Sequence, residues 1–121
     1  MMTNANTKMK LGIVEYIDSA HYLPGHETCG IVHGHTYKTE IVIEGEKKET
    51  GMVMDFYEIK TTVREVLKEF DHRLLNDILE FPSAENMCEA IHARLSEALG
   101  YPVSVKVWEG EGKWCQISDF D

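Results

Sequence analysis

The stretch HGHTYKTEIVIEG, residues 33–45, alternates between two kinds of side chain and so favours a β-strand. Successive residues of a strand point to opposite faces of the sheet, so every second residue shares a face. The face with both histidines consists of His33, His35, Tyr37, Thr39, Ile41 and Ile43. We therefore predict a strand that rests on an apolar core and presents two histidines at its beginning.

The segment before this strand predicts a hairpin. KLGIVEYIDSA, residues 10–20, is rich in β-branched and aromatic residues, which are typical of strands. YLPGHETCG, residues 22–30, contains Pro24, Gly25 and Gly30 and indicates a loop. A first strand would thus return through this loop and lie antiparallel to the second.

Two helices are predicted after the hairpin. Asp55 with Glu58 three residues later forms a capping box, and apolar residues at helical spacing predict a helix from about Phe56 to Phe70. A second helix has Ser83 as its cap and stops at Gly100.

The C-terminal part predicts two more strands. PVSVKVWE, residues 102–109, alternates so that Glu109 shares the face of three valines, and WCQISDF, residues 114–120, is a short final strand. The order ββααββ predicts an α+β fold, in which two helices cover one face of a four-stranded antiparallel sheet. Such a sheet has two exposed edges, and no proline guards them here, so we expect self-association.

Composition narrows the function classes. The 121 residues with 43% apolar content suit a single domain over residues 10–121, after a flexible polar tail over residues 1–9. A net charge of −9 argues against nucleic acid or an anionic membrane as a partner, and no apolar run is long enough to span a membrane. Three scattered cysteines are too few for a disulfide framework, so a cytoplasmic location is expected.

The histidines suggest a metal site. His33 and His35 project from one strand face, and the antiparallel return would bring His21 beside them. Three neutral imidazoles make a zinc site with one open position, as in catalytic zinc centres. Two other interpretations stay open: the histidines only form hydrogen bonds, or Cys29 is a fourth ligand that closes a structural site.

Six short motifs resemble one protein family in order and spacing. They are IDSAH (17–21), CGIVHGH (29–35), GMVMDF (51–56), FDHRLLN (70–76), PSAEN (82–86) and VKVWE (105–109). The chain resembles the 6-pyruvoyltetrahydropterin synthase family, especially its 6-carboxytetrahydropterin synthase branch of the queuosine and archaeosine pathways. The resemblance implies the tunnelling fold, trimers whose sheets join into a barrel, stacking of two trimers into a homohexamer, and active sites at subunit interfaces.

The resemblance also implies roles for individual residues. The zinc ligands would be His21, His33 and His35. Cys29 would be a general base, and Asp71 with His72 would be a second proton-transfer pair. A further set would bind the pterin: Glu109, whose carboxylate suits the guanidine-like edge of the ring, and Ser83, which stands where the family usually has threonine.

The implied reaction is that of a zinc-dependent carbon–oxygen lyase. It would convert 7,8-dihydroneopterin triphosphate to 6-carboxy-5,6,7,8-tetrahydropterin, acetaldehyde and triphosphate. Alternatives are the pyruvoyl-forming reaction, a retro-aldol cleavage, which Glu27 near the cysteine keeps open, and a non-catalytic zinc-binding oligomer. Gly110 replaces the family's usual threonine, and no basic residue is assigned to the triphosphate, although Lys38, Arg73 and Lys113 lie nearest the motifs.

Overall fold

The structure is a computed structural model that describes residues 6–120. It contains four strands and two α-helices, with a short 3₁₀ helix at Leu75–Asp77 between the helices. In chain order they are β1 (Lys8–His21), β2 (His33–Glu46), α1 (Phe56–Leu67), α2 (Ala84–Leu99), β3 (Val103–Glu109) and β4 (Lys113–Ser118). The predicted ββααββ order is confirmed. Neither helix has the length and apolar character needed to cross a bilayer.

The strands form one antiparallel sheet in the order β1-β2-β3-β4. The register fixes which side chains share a face, because directly paired residues point the same way. Ile41 faces Val105, and Val105 faces Ile117, so one apolar row crosses the sheet. The two helices cover this face, and the core between them and the sheet is almost fully buried.

Several element boundaries differ from the prediction, most at β1, α1 and β4, which spans Lys113–Ser118 instead of residues 114–120. β1 begins at Lys8 and so includes the end of the predicted tail; residues 1–5 lie outside the described residues. Helix α1 ends at Leu67, because the N–H groups of Glu69 and Phe70 then bond to carbonyls three residues back, in a tighter turn. Phe70 is still fully buried, and this burial explains why its spacing looked helical.

The caps of α2 agree with the sequence prediction. The Ser83 hydroxyl accepts a hydrogen bond from the backbone N–H of Asn86 at 3.1 Å. At the other end Gly100 has φ +69°, a left-handed conformation that glycine adopts without steric cost. The Ser83 cap fixes where α2 begins, and therefore where Pro82 and Ser83 lie relative to the sheet, and Gly100 fixes where the helix ends.

One sheet edge is partly covered by the chain itself. The segment after α1 runs along the end of β1, where Ala20 donates to the Arg73 carbonyl at 3.0 Å and His72 donates to the Asp18 carbonyl at 2.7 Å. A single parallel bridge joins Ala20 to Leu74. The edge prediction therefore needs refinement on the β1 side of the sheet, where this segment covers the end of the strand and leaves its earlier part as the edge.

We expect Asp119→Ala to lower the free energy of unfolding by about 1 kcal/mol at pH 7. The Asp119 carboxylate accepts from the backbone N–H of Val103 at 2.9 Å and from His92 Nε2 at 2.8 Å, so it ties β4 to β3 and α2. The Val103 hydrogen bond in particular holds the Asp119 pKa below its ordinary value of 3.8.

The carboxylate thus adds stability that is present above pH 3.8 and is lost as the pH falls through the lowered pKa. Urea unfolding of both proteins at pH 7 and at lower pH measures this difference. If the difference in the free energy of unfolding between the two proteins stays constant below pH 3.8, the stabilising role of the Asp119 carboxylate is contradicted.

Candidate metal centre and active site

The three histidines meet at one end of the sheet, where β1 ends and β2 begins. His21 and His33 are direct partners in the β1–β2 register, and His35 pairs with Ser19. All three side chains point to the helix-covered face, and His21 is almost fully buried. The convergence follows from the hairpin register, as the sequence analysis predicted.

The three side chains have the spacing of a metal site. One possible ligand atom from each histidine lies within 4.8 Å of the other two. The Nε2 atoms of His21 and His33 are 3.0 Å apart. Two nitrogens bound to one tetrahedral Zn²⁺ at about 2.0–2.1 Å would be separated by about 3.3–3.4 Å, so little rearrangement would be needed.

Hydrogen bonds fix the orientation of two of these rings. His21 Nδ1 lies 2.7 Å from the Pro82 carbonyl oxygen, and His33 Nδ1 lies 2.7 Å from the Ile31 carbonyl oxygen. A carbonyl oxygen only accepts, so each Nδ1 carries the hydrogen and each neutral ring has its lone pair on Nε2. Two lone pairs then face each other, an arrangement that a shared cation would stabilise.

His35 supplies the third donor. Its Nε2 atom is buried and has no hydrogen-bond partner among the described residues. A buried nitrogen without a partner is costly, and binding a metal ion would remove that cost. Burial lowers the pKa of His35 below its ordinary value of 6.5, although the Glu109 carboxylate opposes this shift. The lowered pKa favours the neutral ring, which is the form that binds a metal.

Tyr37 packs beneath the cluster, and the sequence analysis gave it no role there. Its ring makes edge contacts with His21 and His35, and its hydroxyl lies 3.3 Å from His21 Nδ1. Burial raises the pKa of Tyr37 well above its ordinary value, so the hydroxyl stays protonated. Tyr37 thus supports the histidines as a neutral, fully buried side chain.

Glu109 lies beside the cluster. In the register it is paired with Tyr37 on β2 and with Lys113 on β4. Its two carboxylate oxygens are 3.8 Å from His35 Nε2 and 4.0 Å from His21 Nε2. Lys113 Nζ is 3.7 Å from the Oε1 atom of Glu109. A partly buried carboxylate therefore stands between the histidines and a lysine.

A cavity of about 290 Å³ opens next to Glu109. It brings together Ser83 and Glu109, the two residues predicted to contact the pterin. Its other lining residues are Leu23, Ala84, Glu85, Lys113, Trp114 and Cys115. Of these, only Lys113 was named from the sequence, as one of three basic residues near the motifs. A wider cavity of about 480 Å³ involves Tyr16, Lys38 and Trp108, and it shares no lining residue with this one.

Cys29 is held in the loop between β1 and β2. Its backbone N–H donates to His26 Nδ1 at 3.0 Å, and its carbonyl accepts from the Leu23 N–H at 2.7 Å. Its sulfur is not part of the group of ligand atoms within 4.8 Å of one another. In this structure the thiol is therefore not placed as a fourth ligand.

Asp71 and His72 contact each other, as their predicted pairing requires. His72 Nδ1 is 2.9 Å from Asp71 Oδ1, which also accepts from the Asp18 N–H at 2.9 Å. Arg64 approaches the other carboxylate oxygen at 3.7 Å. The His72 side chain is 79% exposed, and no hydrogen bond or ion pair within residues 6–120 joins it to His21, His33 or His35.

The motifs and the fold agree with comparisons to known proteins. A family model described as 6-pyruvoyl tetrahydropterin synthase matches residues 10–119. The chain belongs to the 6-pyruvoyl tetrahydropterin synthase family. The resemblance stated from the motifs is therefore confirmed.

Individual relatives and a solved structure agree with this family. A protein of Archaeoglobus fulgidus, provisionally named 6-carboxy-5,6,7,8-tetrahydropterin synthase, is 46% identical over 91% of this chain and 96% of its own. The dihydroneopterin monophosphate aldolase of Pyrococcus furiosus is 45% identical over 77% of this chain and 82% of its own. The 6-pyruvoyl tetrahydropterin synthase structure of Caenorhabditis elegans aligns with a TM-score of 0.84, at 21% identity, over 96% of this chain and 99% of that one. This last match shows the tunnelling fold.

Proposed function

We propose that this protein is a zinc-dependent lyase that converts 7,8-dihydroneopterin triphosphate and water to 6-carboxy-5,6,7,8-tetrahydropterin, acetaldehyde and triphosphate. The observation that carries the proposal is the convergence of three imidazoles at one end of the sheet, where the buried Nε2 of His35 has no hydrogen-bond partner among residues 6–120. The similarity to the A. fulgidus protein favours the 6-carboxy product among those of the family.

The histidine cluster would hold the metal. His21, His33 and His35 offer only nitrogen donors, a set that suits Zn²⁺ better than Mg²⁺ or Ca²⁺, which prefer oxygen. When bound, Zn²⁺ would act as a Lewis acid that lowers the pKa of a hydroxyl group on the substrate side chain. The carbonyls of Pro82 and Ile31 would keep the rings in the tautomer that binds.

Proton transfer is assigned to Cys29 and to the Asp71–His72 pair. Cys29 would take a proton from the substrate side chain as a general base. Asp71 would orient the His72 ring through Nδ1, which leaves Nε2 to exchange a proton with the substrate. Because His72 is exposed and no hydrogen bond or ion pair among residues 6–120 joins it to the histidine cluster, we propose that it acts in a site completed by a neighbouring subunit.

The assembly that this requires is a homo-oligomer with interfacial sites, a trimer or a stacked hexamer. β4 and the earlier part of β1 are the sheet edges that could pair between copies. Pairing of these edges would join the sheets of neighbouring chains and remove the exposed backbone groups that each chain presents alone.

Glu109→Ala is expected to weaken pterin binding at least tenfold and to leave the zinc content unchanged. The carboxylate would accept two hydrogen bonds from the amino group and ring N–H of the pterin, and hydrogen bonds to a charged group contribute about 1.5–3 kcal/mol each. Fluorescence titration with neopterin measures the affinity. Glu111→Ala is the matched control, because Glu111 lines the other cavity. Unaltered affinity in Glu109→Ala would refute the assignment.

A second candidate reaction is the retro-aldol cleavage of a dihydroneopterin to the 6-hydroxymethyl pterin. The observation that favours it is the similarity to the P. furiosus dihydroneopterin monophosphate aldolase. Glu27 stands two residues before Cys29 in the same exposed loop, where a carboxylate could accept the proton of a side-chain hydroxyl.

The released aldehyde separates the two candidates. The lyase releases acetaldehyde and inorganic triphosphate, whereas retro-aldol cleavage of the same substrate releases glycolaldehyde that still carries the phosphate chain. The aldehyde is trapped with a hydrazine reagent, and the molecular mass of the adduct, measured by mass spectrometry, identifies the aldehyde. Acetaldehyde is the expected product. Detection of phosphorylated glycolaldehyde instead would refute the lyase proposal and support the retro-aldol reaction.

A further inference from the structure

Glu109 and Lys113 form a pair of opposite charge at the mouth of the candidate substrate cavity. They face each other across the β3–β4 hairpin, so both side chains lie on the helix-covered side of the sheet. The Lys113 ammonium is 3.7 Å from Oε1 of Glu109, and both residues line the cavity of about 290 Å³. A hydrogen-bond acceptor and a donor thus stand side by side and open to the same space.

The pyrimidine edge of a pterin carries the complementary pattern. Its 2-amino group and N3–H donate, and the adjacent O4 atom accepts. We propose that Lys113 is a specificity residue that donates to O4 while Glu109 accepts from the two neighbouring N–H groups. This inference rests on the proposed pterin chemistry and extends it, because Glu109 would contact only the 2-amino and N3–H groups, and the O4 atom beside them needs a donor of its own.

A second lysine–glutamate pair, Lys8 with Glu44, provides a comparison for Lys113, because it has the same kind of contact but lies outside the cavity. Lys8 Nζ is 3.6 Å from Glu44 Oε1, and the exposed fractions of that pair, 72% and 17%, nearly equal the 76% and 21% of Lys113 and Glu109. Pairs this exposed contribute little to stability. Neither Lys8 nor Glu44 lines the substrate cavity. Lys8 therefore serves as a matched control for the loss of one lysine charge.

The test compares two pteridines that differ at position 4. The zinc-loaded wild type, Lys113→Met and Lys8→Met are titrated with neopterin, which carries the 4-oxo group, and with 2,4-diamino-6-hydroxymethylpteridine. We expect Lys113→Met to bind neopterin about tenfold more weakly or worse, because it loses a charge-assisted hydrogen bond. Its affinity for the diamino compound should stay equal or rise, because a 4-amino donor no longer faces an ammonium donor.

The outcomes separate this inference from the proposed function. The selectivity ratio is the affinity for neopterin divided by the affinity for the diamino compound. A ratio that falls in Lys113→Met and keeps the wild-type value in Lys8→Met supports the role of Lys113. Equal losses for both pteridines, or none, would overturn the role of Lys113 and leave the pterin function standing. Failure of the wild type to bind neopterin would overturn both.

Discussion

His35→Ala is expected to lower the zinc affinity of this chain more than about 100-fold, since losing one ligand exceeds the 10–100-fold cost of losing a ligand's outer hydrogen-bond partner. The substitution is well suited to the test, because the buried His35 Nε2 makes no hydrogen bond within the described part of the chain that the fold would lose. His21 is less suitable, since its Nδ1 donates to the Pro82 carbonyl in a buried contact. Competition with a chromophoric zinc chelator measures the affinity.

The control for this prediction is His92→Ala. It removes a histidine that contacts Asp119 and lies outside the cluster. We expect it to keep one zinc per chain, as in the wild type. Full zinc binding by a folded His35→Ala protein would contradict the assignment of the three histidines to the metal.

Cys29→Ala is expected to leave the zinc content unchanged and to lower kcat by about 100- to 10,000-fold, the range typical of removing a general base. The two effects separate because the sulfur lies outside the group of ligand atoms. Metal analysis and steady-state rates on the same preparation measure both quantities. Cys88→Ala is the control, because this thiol is buried in α2 and donates to the Val105 carbonyl.

The same variant tests the non-catalytic alternative. If Cys29 closes a structural zinc site, its removal should release the metal and leave no activity to lose. Loss of zinc with the fold retained would therefore refute the enzyme proposal and favour a non-catalytic zinc-binding oligomer. Retention of zinc with normal turnover would remove Cys29 from both roles.

Most of the fold could be predicted from local sequence patterns. The alternation in residues 33–45 predicted β2 and its buried face, and Ser83 and Gly100 predicted the ends of α2. The predicted end of α1 was wrong by three residues. Phe70 is buried and continues the helical spacing of apolar residues, although the α-helical hydrogen bonds have already ended. Periodicity measures which side chains are buried, and it does not distinguish a helix from the tight turn that follows it.

The site could be predicted only in part. The meeting of His21 with His33 follows from the hairpin register, and so does the Glu109–Lys113 pair, which a register drawn through the β3–β4 turn would have found. The Pro82 carbonyl that orients His21 lies 61 residues away in sequence, and no local pattern indicates it. His72 has φ +55°, an uncommon backbone conformation for a residue with a side chain, set by the turn against β1.

The proposed lyase reaction is tested by the mass of the pterin that the zinc-loaded protein makes from 7,8-dihydroneopterin triphosphate, with His35→Ala run in parallel. We expect 6-carboxy-5,6,7,8-tetrahydropterin from the wild type and none above background from the variant. A 6-pyruvoyl or 6-hydroxymethyl product, or equal turnover by the variant, would contradict it.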